Sequence, residues 1–163
     1  MSEYERLVEI VGRLRAPDGC PWDREQTHSS LKKGCLEEAA EVICGINIYD
    51  KTGNADNLRE ELGDLLLQIV MHAQIAKEEG LFDMEDICKD IADKMVRRHP
   101  HVFGEVTVSD SNEVLKNWED IKKNEHAGEK IDANEYIFEA FDESKELIDK
   151  AITRKKEKLE KAK

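Results

Sequence analysis

The chain has 163 residues, a length that suits one domain with a hydrophobic core and is short for two. Hydrophobic residues make up 39% and charged residues 38%, with three prolines, so the composition favours long amphipathic helices and an all-α fold. The net charge of -12 argues against nucleic acid polymers and anionic membranes as partners. The same charge would repel a phosphate ester unless metal ions and local cations reversed the field.

The four cysteines form no CxxC pair and no zinc-like grouping with histidine. For Cys35 and Cys44, which lie in helix-like sequence, we expect buried free thiols rather than a disulfide. The N-terminal residues lack the pattern of a secretory signal, and no apolar run approaches membrane-spanning length. These features predict a cytoplasmic protein that does not contact a membrane.

Apolar residues spaced three and four apart predict a series of helices, at about residues 3–14, 29–49, 55–79, 83–98 and 110–124. Between them, we expect an ordered loop at 19–23, an N-cap at Asn54 and a proline-containing break at 99–104. The third helix has the widest apolar stripe, which predicts burial on two sides, in a bundle centre or a subunit interface.

A last helix-like segment begins at Asn134 and becomes almost wholly charged after Thr153. A solvated or fraying end is the expected structure for such a sequence. We predict a catalytic helical domain at 1–127 and a charged helical extension at 128–163, which packs on the domain or contacts another subunit.

Two acidic patterns stand out on the second and third helices. Glu38 and Glu41 are three residues apart, as are Glu61 and Asp64, so each pair projects from one helix face. The short connection makes the two helices antiparallel neighbours, and their carboxylates would meet. Divalent cations relieve the repulsion of such a group, and all-oxygen ligands suit Mg²⁺ or Mn²⁺.

Acidic pairs at this spacing are also common on solvated helix faces, and either pair alone would favour that interpretation. The surroundings of Glu61 and Asp64 favour a metal site instead. The two residues interrupt the most apolar helix, and acidic groups there need partners. Gly63 between them allows another backbone or a ligand to approach closely.

A basic group follows on the fourth helix, where Lys94, Arg97 and Arg98 share a face. Guanidinium groups match phosphate oxygens, although cations at a helix C-terminus also complement the helix dipole. Trp118 and Lys122 lie four residues apart on the fifth helix. The indole ring suits stacking on a base, but a helical tryptophan is more often a core or interface anchor.

The chain resembles the MazG-type nucleoside triphosphate pyrophosphohydrolases, members of an all-α superfamily. The resemblance runs from about Glu5 to Lys123 and rests on blocks whose order and spacing are similar to those of the family. The acidic blocks are Glu37-Glu38-x-x-Glu41 and Glu61-x-x-Asp64, and the more specific ones are Gly19-Cys20-Pro21-Trp22-Asp23 and Arg97-Arg98-His99-Pro100-His101-Val102-Phe103-Gly104.

The resemblance implies an α-helical bundle that forms a homodimer or higher homo-oligomer and binds Mg²⁺, with Mn²⁺ as a substitute. It implies hydrolysis of an NTP or dNTP at the α-phosphorus to the monophosphate and pyrophosphate, for housecleaning or regulation of the nucleotide pool. The implied metal ligands are Glu38, Glu41, Glu61 and Asp64, and Glu37 is an outer or water-orienting carboxylate. The implied catalytic and substrate-binding residues are Glu37, Glu38, Lys94, Arg97, Arg98, Trp118 and Lys122.

Three alternatives stay open at this point. One is a purely structural helical oligomer, whose melting temperature would not depend on metal ions. A relative within the superfamily would take a dUTP-like or phosphoribosyl-ATP-like substrate. A non-catalytic module would bind the metal and the nucleotide and release no pyrophosphate.

Overall fold

The computed structural model describes residues 1–125 and 132–161. Within these ranges the chain forms helices joined by short connections and contains no strand, which confirms the predicted all-α class. None of these helices has the length and apolar character needed to cross a membrane. The helices are α1 (Glu3–Arg15), α2 (Pro21–Glu25), α3 (His28–Thr52), α4 (Asp56–Glu78), α5 (Met84–Arg98), α6 (Pro100–Phe103), α7 (Ser111–Glu125) and α8 (Asn134–Lys161).

The longer helices begin and end close to their predicted limits, and three local predictions were wrong. Pro21 begins helix α2 inside the predicted loop, because its fixed φ suits the first position of a helix. Pro100 begins α6 in the same way, where a break was predicted. The N-cap of α4 is Ala55 rather than Asn54, whose side chain instead accepts a hydrogen bond from the Asp56 backbone at 2.8 Å.

The described residues belong to two compact units. The first consists of Met1–Met84 together with α8 from Ile137 onward, and the second runs from Glu85 to Tyr136. The predicted domain boundary at 127/128 falls within residues 126–131, which lie outside the described residues. That division of the chain therefore stays a prediction.

Helix α4 lies between α1 and α3 in the first unit. Its C-terminal half is buried on two sides, as the width of its apolar stripe predicts. The apolar residues buried there are Val11 of α1, Leu31 of α3, and Val70, Met71, Ala73, Ile75 and Ala76 of α4. One stripe through the first half and the middle of α4 differs, because Leu62, Leu66 and Ile69 are 36–50% exposed.

Arg15 connects the segment between α1 and α3 to the end of α4 through an ion pair and hydrogen bonds. Its side chain is 6% exposed, and its guanidinium group forms an ion pair with Glu78 at 2.7 Å. The same group donates to the carbonyl oxygens of Asp23 and Gln26. Arg15 also holds the pKa of the Glu78 carboxyl below its usual value. One buried cation thereby orders the loop, α2 and the start of α3.

The backbones of α3 and α4 come into contact at Gly45. A Cβ atom added there would lie 2.7 Å from Cα of Leu58, closer than real Cβ contacts allow. About three turns earlier on α3, a Cβ at Gly34 would lie 2.8 Å from Oε1 of Gln68. These two contacts define an antiparallel register in which residues 38 and 41 lie opposite residues 64 and 61.

We expect Gly45→Ala to destabilise the protein by about 1–3 kcal/mol, the usual cost of overpacking a close contact. The matched substitution is Gly63→Ala on α4, where an added Cβ meets no atom within 4 Å. Because alanine favours a helix over glycine by about 1 kcal/mol, Gly63→Ala should leave the stability unchanged or raise it.

Urea unfolding followed by circular dichroism measures both free energies. Equal effects of the two substitutions would contradict the close approach of α3 and α4 at Gly45.

Candidate metal centre

Three carboxylates converge where α3 and α4 face each other. Glu38 of α3 and Glu61 and Asp64 of α4 each place one carboxylate oxygen so that all three lie within 4.8 Å of one another. Glu61 is buried at 9% exposure, Glu38 is half-buried, and Asp64 is exposed. In the described parts of the chain, no other group of three or more acidic, histidine or cysteine side chains converges in this way.

The electrostatics of Glu38 reflect this crowding. Partial burial raises the pKa of its carboxyl group, because the charged form loses solvation. The neighbouring charges of Glu41, Asp64, Glu61 and Glu37 raise the pKa further. The ionised cluster is therefore unfavourable unless a cation offsets it.

Glu41 and Glu37 are paired with α8. The ammonium group of Lys155 lies 2.5 Å from Oε1 of Glu41, and Arg154 forms an ion pair with Glu37. The structure thus brings together three of the four predicted metal ligands and holds Glu41 outside that group. The end of α8 is mostly exposed, as predicted, but these two contacts show that it is more than a solvated tail.

Asn57 supports the buried member of the group. Its side-chain amide donates to Oε1 of Glu61 at 2.8 Å. This contact was missed in the sequence, although the four-residue spacing of Asn57 and Glu61 on one helix predicts it. Arg154 and Lys155 were also missed, because a densely charged helix end gives no sign of which cation has an acidic partner.

Two histidines and a cysteine also lie in contact between α3 and α4, without converging as a metal site does. Nδ1 of His28 is 2.7 Å from Nδ1 of His72, and Nε2 of His72 is 3.5 Å from Sγ of Cys35. Burial and then His28 lower the pKa of His72. These groups hydrogen-bond with one another. Cys35 and Cys44 are free thiols, as predicted, but Cys35 is only partly buried and Cys44 is exposed, so the predicted burial was wrong.

The predicted phosphate-binding cations lie in the second unit. Arg97 and Arg98 both pair with Glu125, at 2.8 and 2.6 Å. Arg98 is buried, and its guanidinium carbon lies 5.0 Å from the centre of the Trp118 ring; Nζ of Lys122 lies 5.6 Å from the same centre.

These contacts tie Arg98, Trp118 and Lys122 into one structural group. Lys94 is half-buried on the same helix as Arg97 and Arg98. Contact of any of these residues with phosphate or base stays a prediction.

Comparison with known proteins identifies the family. Residues 26–103 match the MazG nucleotide pyrophosphohydrolase domain. A crystal structure of a MazG-related protein from Thermotoga maritima superposes with a TM-score of 0.60 at 30% identity, over 73% of this chain and 98% of that one. The chain belongs to the MazG family.

Relatives of this MazG-family chain include longer proteins. It is 51% identical over 128 residues to the nucleoside triphosphate pyrophosphohydrolase of Escherichia coli (strain K12), and 52% identical over 123 residues to YabN of Bacillus subtilis (strain 168). These matches cover 78% and 76% of this chain, but only 47% and 24% of the relatives. The chain therefore spans half or less of the length of these relatives, and α8 lies outside the residues that match the family domain.

The three converging carboxylates fit a hard divalent ion. Mg²⁺ takes oxygen ligands in an octahedron at about 2.0–2.1 Å, so oxygens on opposite sides are about 4 Å apart. A separation of at most 4.8 Å needs only small side-chain rotations to reach that arrangement. The donors Glu38, Glu61 and Asp64 include no thiolate or imidazole, which favours Mg²⁺ or Mn²⁺ over zinc.

We expect Mg²⁺ to raise the melting temperature, because an ion that binds only the folded state adds about 2.7 kcal/mol of stability at 100 times its Kd. Glu38→Gln should reduce this gain. It should also raise the melting temperature of the metal-free protein, since it removes one charge from a repelling cluster. Differential scanning calorimetry with and without Mg²⁺ measures both effects.

Glu60→Gln is the matched control, because Glu60 is an exposed residue of the same helix. Glu60→Gln should change neither the melting temperature of the metal-free protein nor the rise in melting temperature that Mg²⁺ causes. A magnesium-induced stabilisation that survives in Glu38→Gln would argue against Glu38 as a ligand.

Proposed function

We propose that this chain hydrolyses nucleoside triphosphates, ribo or deoxy, to the monophosphate and pyrophosphate in a Mg²⁺-dependent reaction. The observation that carries the proposal is the convergence of Glu38, Glu61 and Asp64 in a chain that matches the MazG pyrophosphohydrolase domain. The name of the Escherichia coli relative supports the same activity. The expected role is housecleaning or regulation of the nucleotide pool in the cytoplasm, and the cytoplasmic location stays a prediction.

Glu38, Glu61 and Asp64 are the proposed metal ligands, and Glu41 completes the set when its carboxylate leaves Lys155. A divalent ion held by these residues would offset their charge and would supply a Lewis acid for the phosphate oxygens and for a water molecule that attacks the α-phosphorus. Asn57 fixes the orientation of the Glu61 carboxylate through its hydrogen bond. We assign Glu37 the outer position from which a carboxylate orients water, a role that requires it to release Arg154.

The cations of the second unit are the proposed contacts for the leaving pyrophosphate. Arg97 suits this role best, because 53% of its side chain is exposed. Arg98 is held between Glu125 and Trp118, which suits a residue that positions its neighbours more than one that binds a mobile ligand. Lys94 would add a further positive charge on the same face of α5. Trp118 and Lys122 of α7 are further proposed substrate contacts.

The activity is tested by product analysis with a panel of NTPs and dNTPs, with and without Mg²⁺. We expect pyrophosphate and monophosphate in a 1:1 ratio with Mg²⁺ and neither without it. Glu38→Gln should lower kcat/KM by about 100-fold or more, since loss of even an outer partner of a metal ligand costs 10–100-fold. Glu60→Gln should behave as the parent.

The outcomes separate the alternatives. Orthophosphate without pyrophosphate would exclude attack at the α-phosphorus. Binding of Mg²⁺-nucleotide without any product would indicate a non-catalytic module. Activity confined to dUTP or phosphoribosyl-ATP would indicate a different substrate class within the superfamily.

We also propose that the protein forms a homodimer or higher homo-oligomer through the first unit. Two apolar stripes are exposed on it: Leu62, Leu66 and Ile69 on α4, and Ile43, Ile46 and Tyr49 on α3, at 36–60% exposure. Apolar stripes of this kind on neighbouring helices are typical of protein interfaces.

Light scattering should therefore give at least twice the 18.7 kDa chain mass, and Leu66→Glu should lower it toward one chain. A single-chain mass for the parent protein would refute this assembly.

A further inference from the structure

Helices α3 and α8 enclose a cavity of about 420 Å³. A volume of this size lies within the range of small-molecule binding pockets, about 300–1,000 Å³. The walls are mainly apolar and come from both helices. The apolar side chains of α3 and α8 that line it are Leu36, Ala40, Ile48, Leu147, Ile148 and Ile152.

The cavity reaches the candidate metal centre. Glu61, one of the three converging carboxylates, lines it, and so do Asn57 and Glu41. Lys155 also lines it, so the polar end of the cavity is the place where α8 pairs with Glu41. A ligand seated in the cavity would therefore have an apolar part between the helices and a polar part beside the carboxylates.

This division of chemistry matches a nucleotide. A phosphate chain alone would gain nothing from the apolar walls and would be repelled by the acidic end without a metal ion. A base and sugar, by contrast, suit a concave apolar pocket with few polar groups. The α-phosphate joined to them would then lie at the carboxylates.

Helix α8 is attached in a way that allows a ligand to enter. Three ion pairs connect it to α3: Lys32–Glu143, Glu37–Arg154 and Glu41–Lys155. All six side chains are at least 23% exposed, and ion pairs of this kind contribute about 0–1 kcal/mol each. Because open space separates the apolar side chains of α3 and α8 at the cavity, close packing between them does not hold α8 against α3 there.

We propose that this cavity binds the nucleoside part of the triphosphate, so that α8, which lies outside the match to the family domain, forms one wall of the substrate site. The proposal rests on the function proposed above. It assigns Ala151 and its apolar neighbours on α8 to nucleoside binding.

The thiol of Cys44 provides a direct test, because Cys44 is exposed and lines the cavity. The full chain is alkylated with N-ethylmaleimide in the presence of Mg²⁺, and the rate at each cysteine is followed by peptide mass spectrometry. We expect the α,β-methylene analogues of ATP or UTP, whose α–β bond resists hydrolysis, to slow alkylation of Cys44 about tenfold or more. Inorganic tripolyphosphate, which has no nucleoside, should not slow it, and Cys20 should react at the same rate throughout.

A second variant tests the α8 wall. Ala151→Trp fills the cavity from α8 and should raise the Kd of the analogues about tenfold or more, with the affinity for Mg²⁺-tripolyphosphate unchanged. Ala140→Trp makes the same substitution at an exposed position of α8 that does not line the cavity, and should bind as the parent.

Three results would overturn the proposal. The nucleotide analogues could fail to slow the alkylation of Cys44, or tripolyphosphate could slow it equally. Cys44 could also be unreactive without any ligand, because another chain fills the cavity. The alkylation measurement does not require the protein to hydrolyse a nucleotide, so it tests the pocket separately from the enzymatic activity. A protein that produces pyrophosphate while Cys44 stays unprotected refutes the pocket and keeps the enzyme. A protein that shows nucleoside-dependent protection without product keeps the pocket and refutes the enzyme.

Discussion

The backbone contact between α3 and α4 at Gly45 determines where the functional side chains lie. Because no side chain separates Gly45 from Leu58, the two helices are close enough for short carboxylates to reach across. The antiparallel register then places Glu38 opposite Asp64, about two turns before Gly45 on α3. A wider spacing would leave the same acidic residues as separate pairs on two solvated faces, without a common site.

That proximity has an energetic consequence. Ionised carboxylates a few ångströms apart repel each other by several kcal/mol at intermediate dielectric. Partial burial first, and then this repulsion, raise the pKa of the Glu38 carboxyl group. The fold supplies part of the compensation through Asn57 at Glu61 and Lys155 at Glu41. The cluster thus lowers the stability of the metal-free protein, which is the usual cost of a preorganised site.

The sequence predicts much of this arrangement, for physical reasons that also explain what it misses. Glu38, Glu61 and Asp64 could be placed because helical spacing fixes which residues share a face, and a short connection makes neighbours antiparallel. The partners of Glu41 and Arg98 could not be placed. Lys155 is more than a hundred residues from Glu41, and Glu125 is one of many acidic residues on exposed helix faces. A basic motif alone does not reveal that Arg98 is already paired and buried.

Charge balance connects the two proposals. Arg154 and Lys155 together carry the same positive charge as one divalent ion, and they pair with Glu37 and Glu41, whose charges act on the converging carboxylate of Glu38. A divalent ion bound in the proposed enzyme would take over this neutralisation, and Lys155, which lines the cavity, would then be free to face a triphosphate. The ion pairs that hold α8 to α3 are exposed and individually weak, so they would not prevent these side chains from leaving the carboxylates when the substrate binds.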